Sequence, residues 1–105
     1  MGMTINELVS NLIEKTKKDE LTWESQNRNS FRLITTSGSI AIEESYTISG
    51  RTQYTIRLFD EDSCFATYHS EPSTKDDCFS VLYKEIVSYN NRRIENKIQN
   101  IFGSI

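Results

Sequence analysis

The chain has 105 residues, 36% of them hydrophobic and 26% charged, and a net charge of −3 from 12 basic and 15 acidic side chains. That length suits one domain that buries a core without staples, and the mild acidity argues against a protein whose whole surface grips nucleic acid. Five Phe, five Tyr and one Trp exclude global disorder.

No basic stretch followed by a long apolar run opens the sequence, and apolar residues never run to the roughly 20 that a bilayer crossing needs. The expectation is a cytoplasmic protein that is not held in a membrane. Its two cysteines, Cys64 and Cys78, match no disulfide framework and no zinc spacing, and read as free thiols packing as small hydrophobes.

In the first segment Ile5, Leu8, Val9, Leu12 and Ile13 share one side of a 3.6-residue period, which predicts an amphipathic helix. Thr4 and Glu7 have capping-box spacing, and Lys15, Lys17 and Lys18 fall where cations meet the negative end of the helix dipole. Trp23 reads as a core anchor, because removing so large a ring from water is favourable. The SQNRNS stretch after it is turn-like, a short loop between a brief strand and the next.

Four strand-like stretches follow. Phe31 and Leu33 alternate with Arg32 and Ile34 up to a Ser37-Gly38 turn, and Ile40 and Ile42 share a face from which Glu43 is excluded. Tyr54, Ile56 and Leu58 define one face of the third stretch, with Thr55, Arg57 and Phe59 on the other. After the acidic Asp60-Glu61-Asp62 connection, simple alternation pairs Phe65 with Thr67 and Ala66 with Tyr68. Connections this short require antiparallel pairing, since parallel neighbours need a crossover of a dozen or more residues.

Pro72 marks the exit from the sheet, Ser73 or Thr74 is a candidate cap, and Asp76 and Asp77 suit a first helical turn. The chain then reads helical to about Phe102, with Gly103 as a stop. Phe79, Leu82, Tyr83 and Ile86 mark its core side. About 28 residues would make a helix of roughly 42 Å, against a radius of gyration near 13 Å for a compact domain of this size. Either the helix breaks near Tyr89, Asn90 and Asn91, or its end projects. In the second case the stripe formed by Val87, Ile94, Ile98 and Ile101, extended by Ile105, needs a partner surface.

The fold expected is α+β: an N-terminal helix, an antiparallel meander of about four strands and a long C-terminal helix, with both helices on one sheet face. Residues 1–105 form a single domain, with 90–105 projecting or forming a separate terminal helix.

Chemistry has little to build on. His69 is the only imidazole, Cys64 lies five residues before it on the opposite face of a regular strand, and no set of four metal ligands suggests itself. Cys78 at a helix N-terminus is the sharper thiol, since first-turn amides lower a thiol pKa. Glu43 and Glu44 point apart in a strand, and four scattered glycines make no phosphate loop. No catalytic residue, metal or cofactor is expected.

The functional expectation is a non-enzymatic binding or regulatory protein acting through a helix-mediated interface at Val87, Ile94, Ile98 and Ile101, with a protein partner or a second copy as a homodimer. The alternative is a weak nucleic-acid-binding module that uses Lys84, Arg92, Arg93 and Lys97 beside Tyr83 and Tyr89, recognisable by steep salt dependence.

Overall fold

The computed structural model describes residues 2–70 and 77–105, in the order α1 (Ile5–Lys17), β1 (Trp23–Asn27), β2 (Ser30–Ile34), β3 (Ser39–Tyr46), β4 (Thr52–Asp60), β5 (Ser63–His69) and α2 (Cys78–Gly103). The strands form one antiparallel sheet in the order β1-β2-β3-β4-β5, a plain meander under two helices. The expected architecture therefore holds, with five strands in place of about four. The additional strand is the brief one at Trp23, which runs on through Ser25 and Asn27 and turns at Arg28 and Asn29.

Register lines up the core. Phe31 sits opposite Ile42 and Ile42 opposite Ile56, while Trp23 faces Leu33, Leu33 faces Ile40 and Ile40 faces Leu58. Successive side chains alternate across a strand, so these residues all point toward the helices. Val9 and Leu12 of α1 and Phe79, Leu82, Tyr83 and Ile86 of α2 meet them there. The rings of Phe31 and Tyr54 pack on Tyr83 at centroid separations of 5.8 and 5.2 Å. Trp23 is wholly buried, and its indole N–H donates to the Thr16 hydroxyl at 3.0 Å, which itself donates to the Leu12 carbonyl at 2.6 Å. The polar edge of the largest core ring is thus satisfied from α1, four residues up a helix turn.

Turn chemistry sets the meander. A Cβ on Gly38 would collide with the Phe59 carbonyl, so the β2–β3 turn needs glycine for close approach, and Gly50 takes φ +82° in the β3–β4 turn. Glu61 takes a left-handed φ of 57° in the tight turn from β4 to β5. α1 is capped by Thr4, whose hydroxyl oxygen accepts from the Glu7 amide at 3.1 Å, and it ends at left-handed Asp19 with the Glu20 amide bonded back to Lys15.

One strand phase departs from expectation. An irregularity between Leu58 and Phe59 leaves Phe65 as the extra residue of β5, and its ring lines an apolar recess of about 230 Å³ with Leu8, Ile40 and Leu58 on the helix side. Phe65 therefore does not share a face with Thr67. The bulge also reverses the phase relation of Cys64 and His69, as taken up below.

Asp77 caps α2, accepting from the Ser80 amide at 2.9 Å, so it precedes the first turn instead of lying in it. Pro72, the candidate caps Ser73 and Thr74, and Asp76 lie outside the described residues.

A candidate protein interface on the C-terminal helix

α2 is continuous over 26 residues, with no break at Tyr89, Asn90 or Asn91. At 1.5 Å per residue it is about 39 Å long, and it stretches the molecule to 48 Å along its longest axis with a radius of gyration of 15.1 Å. Asparagine disfavours helix interiors mildly, by a few tenths of a kcal/mol each, and the core contacts of Ile86 and Tyr89 together with the arginine contacts at 92 and 93 outweigh that.

Three contacts mark where the body holds the helix. At its start the Cys78 thiol lies 3.6 Å from the Asn6 amide oxygen of α1. At the far end of α1, Arg92 bonds Asp19 at 2.8 Å. One residue later Arg93 donates to the Trp23 carbonyl at 2.9 Å while its guanidinium lies over the Tyr89 ring. α1 therefore runs beside residues 78–92 in the same direction, and the hydrogen bonds from helix to body reach as far as Arg93.

Beyond that point the stripe is open. Ile94 is 47% exposed, where it borders Glu24 and Ser25 of β1, and Ile98, Ile101, Phe102 and Ile105 are 60, 65, 76 and 97% exposed. Val87 differs from the other expected interface residues, being half-buried and packed against the core. At 100° per residue, Val87, Ile94, Ile98 and Ile101 share one line about a quarter turn from the core side centred on Ile86, and Ile105 follows two residues past the end of α2 at Gly103. Two members of the surface were missed in the sequence. Phe102 lies four residues after Ile98 and three before Ile105, and this i, i+4 and i, i+3 spacing was the signal for it. Asn91 precedes Ile94 by three on the same line.

The basic residues of the second expectation do not share a face. By helical phase Lys84, Arg92 and Arg93 spread around α2. Arg92 and Arg93 are engaged with Asp19, Trp23 and Tyr89, as above, and Lys84 also has an interaction within the molecule. Lys97 lines a shallow recess with Glu24, Ser25 and Ile94.

The reactive side chains stand apart. Because of the bulge, Cys64 opposes Phe59 and His69 opposes Thr55, which puts both on the helix-free face. Four residues of β4 separate those rungs, about 13 Å. His69 Nδ1 is 2.9 Å from the Thr55 hydroxyl, and the Cys64 thiol lies 3.5 Å from the Ala66 carbonyl and from the Thr67 hydroxyl. Burial, reinforced by the charge of Asp77, pushes the Cys78 thiol above its usual pKa, and these outweigh the backbone amides of Cys78 and Phe79 that pull the other way. The lowering that first-turn amides could give is outweighed, chiefly by burial, which agrees with reading Cys78 as an unreactive thiol. Among the described residues no three His, Cys, Asp or Glu side chains converge as metal ligands.

On the open face the Arg32 guanidinium stacks over Phe59 at 4.7 Å, and Arg32 Nε is buried without a hydrogen-bond partner. Arg32 borders a recess of about 490 Å³ between the 35–38 and 60–62 turns, whose other charged members are Asp60, Glu61 and Asp62. One guanidinium against three carboxylates gives this recess no clean preference for either sign of ligand. Comparison of the chain with protein-family models, curated proteins and solved structures returned no match.

Proposed function

We propose that this is a non-enzymatic binding or regulatory protein acting through a protein interface on the projecting end of α2, with a partner protein or a second copy of the chain as occupant. The observation that carries this reading is the exposed run of Ile94, Ile98, Ile101 and Phe102 along helix that extends past the hydrogen bond at Arg93, followed by Ile105 just beyond the helix end. Together these side chains offer on the order of 500 Å² of aligned apolar surface, at the upper end of what soluble monomers leave in water. Catalysis finds no support in the separation of Cys64 from His69 or in the raised pKa of Cys78. A cytoplasmic setting goes with the reading, since both cysteines are free thiols and a reducing compartment keeps them so. No helix among the described residues is long and apolar enough to cross a membrane.

The test compares the wild-type chain with an Ile94→Glu, Ile101→Glu double variant in size exclusion with light scattering and in pull-downs whose retained proteins are identified by mass spectrometry. Association, with itself or with an identified protein, is expected to vanish in the variant while far-UV circular dichroism is unchanged. Association that survives both substitutions removes the stripe as the interface.

A further inference from the structure

We infer that the occupant is a second copy of this chain, paired in parallel along residues 91–105 as a two-stranded coiled coil whose register is set by Asn91. The inference rests on the interface reading above and names its partner.

The spacing comes first. Asn91, Ile94, Ile98, Ile101 and Ile105 are separated by 3, 4, 3 and 4 residues, which is the a/d alternation of a supercoiled helix pair. Asn91 and Ile98 take a positions and Ile94 and Ile101 take d positions, while Ile105 continues the spacing just past the helix end at Gly103. The core side of the same helix, at Phe79, Leu82, Tyr83 and Ile86, follows another line about a quarter turn away. A pair formed on the stripe would therefore leave each copy's own core untouched. A two-fold axis running between the helices relates the two bodies by a half-turn about the pair.

The flanking positions choose the direction. In a parallel pair each g residue faces the following e residue of the other copy, so Asn90 meets Glu95 and Lys97 meets Phe102. No like charges face each other, and the Lys97 stem can cover the ring. In the antiparallel register that keeps all the layers, Glu95 meets Glu95 and Lys97 meets Lys97, and each Asn91 is buried against Ile101 of the other copy. Shifting that register by one heptad avoids the repulsion but leaves Asn91 outside the seam. The parallel pair keeps the three isoleucine layers of Ile94, Ile98 and Ile101 and adds an Asn91–Asn91 layer, in which the amides satisfy each other.

Asn91 also bears on stoichiometry. Isoleucine at both a and d favours three or four strands, and a single asparagine at an a position draws the assembly back to two and fixes its register. The area agrees with a reversible pair. Two surfaces on the order of 500 Å² bury about 1,000 Å² in all, at the lower limit of specific interfaces. A Kd on the order of 1–100 µM follows for a seam of two heptads.

Light scattering across a concentration series should pass from one to two chain masses. Asn91→Ile should tighten association at least tenfold and carry the mass beyond two chains. In a Cys64→Ser, Cys78→Ser background, Ile105→Cys alone should form a covalent dimer on mild oxidation. The inference is overturned by a wild-type chain that stays monomeric up to about 1 mM, by Asn91→Ile that changes neither mass nor affinity, or by cross-links that form only between separate Ile94→Cys and Ile105→Cys chains. A monomer that binds a different protein through Ile94 and Ile101 sinks the self-pairing and leaves the broader reading standing. A dimer insensitive to Ile94→Glu with Ile101→Glu sinks both.

Discussion

Ending the chain after Lys97 separates what α2 does for the body from the pairing proposed for its far end. The truncation removes Ile98, Ile101, Phe102 and Ile105, which lie beyond the body's last contacts at Arg92 and Arg93. In dilute solution it should change stability by no more than about 0.5 kcal/mol, the usual range for residues outside packed regions. At high concentration the two chains should diverge. A dimer at 100 times its Kd is stabilised by about 2.7 kcal/mol, and a domain of this length unfolds with an entropy near 0.2 kcal/mol/K. The full chain should thus melt roughly 12 °C higher at such a concentration than when monomeric, whereas the truncated chain should melt at one temperature throughout. Trp23, the only tryptophan, reports the transition from within the core. A full chain whose melting temperature ignores concentration refutes self-pairing. A truncated chain that loses more than about 2 kcal/mol when dilute refutes the division of α2 at Arg93.

Thr16→Val keeps the shape of a fully buried side chain but leaves the Trp23 indole N–H without an acceptor. The expected cost is about 1–3 kcal/mol in urea unfolding, smaller by about 1 kcal/mol in a Trp23→Phe background. Equal costs in the two backgrounds would mean that the hydrogen bond contributes nothing. Tyr54 is pushed up to about 12, first by burial and then by the hydrogen bond its hydroxyl donates to Glu44 at 3.0 Å. Its folded pKa lies above the unfolded value of 10.0, so its contribution is intact below pH 10 and is lost as pH rises toward 12, about 2–3 kcal/mol in all. Alkaline titration of stability should show this loss, and Tyr54→Phe should flatten it. An unchanged slope would assign the loss to other groups.

The fold was legible wherever one physical rule acted alone. Period-two alternation placed Tyr54, Ile56 and Leu58 on the inner face, and capping spacing placed the start of α1 at Thr4. Phase was lost where a local irregularity intervened. The bulge at Leu58/Phe59 moved Phe65 to the helix side and brought Cys64 and His69 onto one face, a two-residue-period error that alternation cannot detect. At Cys78 helix amides and a neighbouring carboxylate act in opposition, and the geometry of burial, which the sequence does not carry, decides the direction. At Asn90 and Asn91 the sequence allowed both a break and a projection. Tertiary anchoring chose projection, through Tyr89 in the core and through the arginine contacts to Asp19 and Trp23, which join residues about 70 positions apart.

The residues that α2 buries in the core lie between Phe79 and Tyr89, and its hydrogen bonds to the body reach as far as Arg93. The remaining helix extends from a nucleated rod, so its backbone needs no tertiary support to persist for three more turns. Its composition is another matter. Isoleucine is β-branched and slightly disfavoured in helices, and an exposed helical extension serves solubility better with Ala, Glu, Lys or Gln. Those residue types do occupy its other faces, as Glu95, Lys97 and Gln99. On this stretch isoleucine recurs only on the a/d line, where the body leaves most of Ile98 and Ile101 uncovered and helix propensity and water both oppose it. A second helix laid along that line accounts for both the residue type and the spacing, and it does so with surfaces that every copy of the chain already carries.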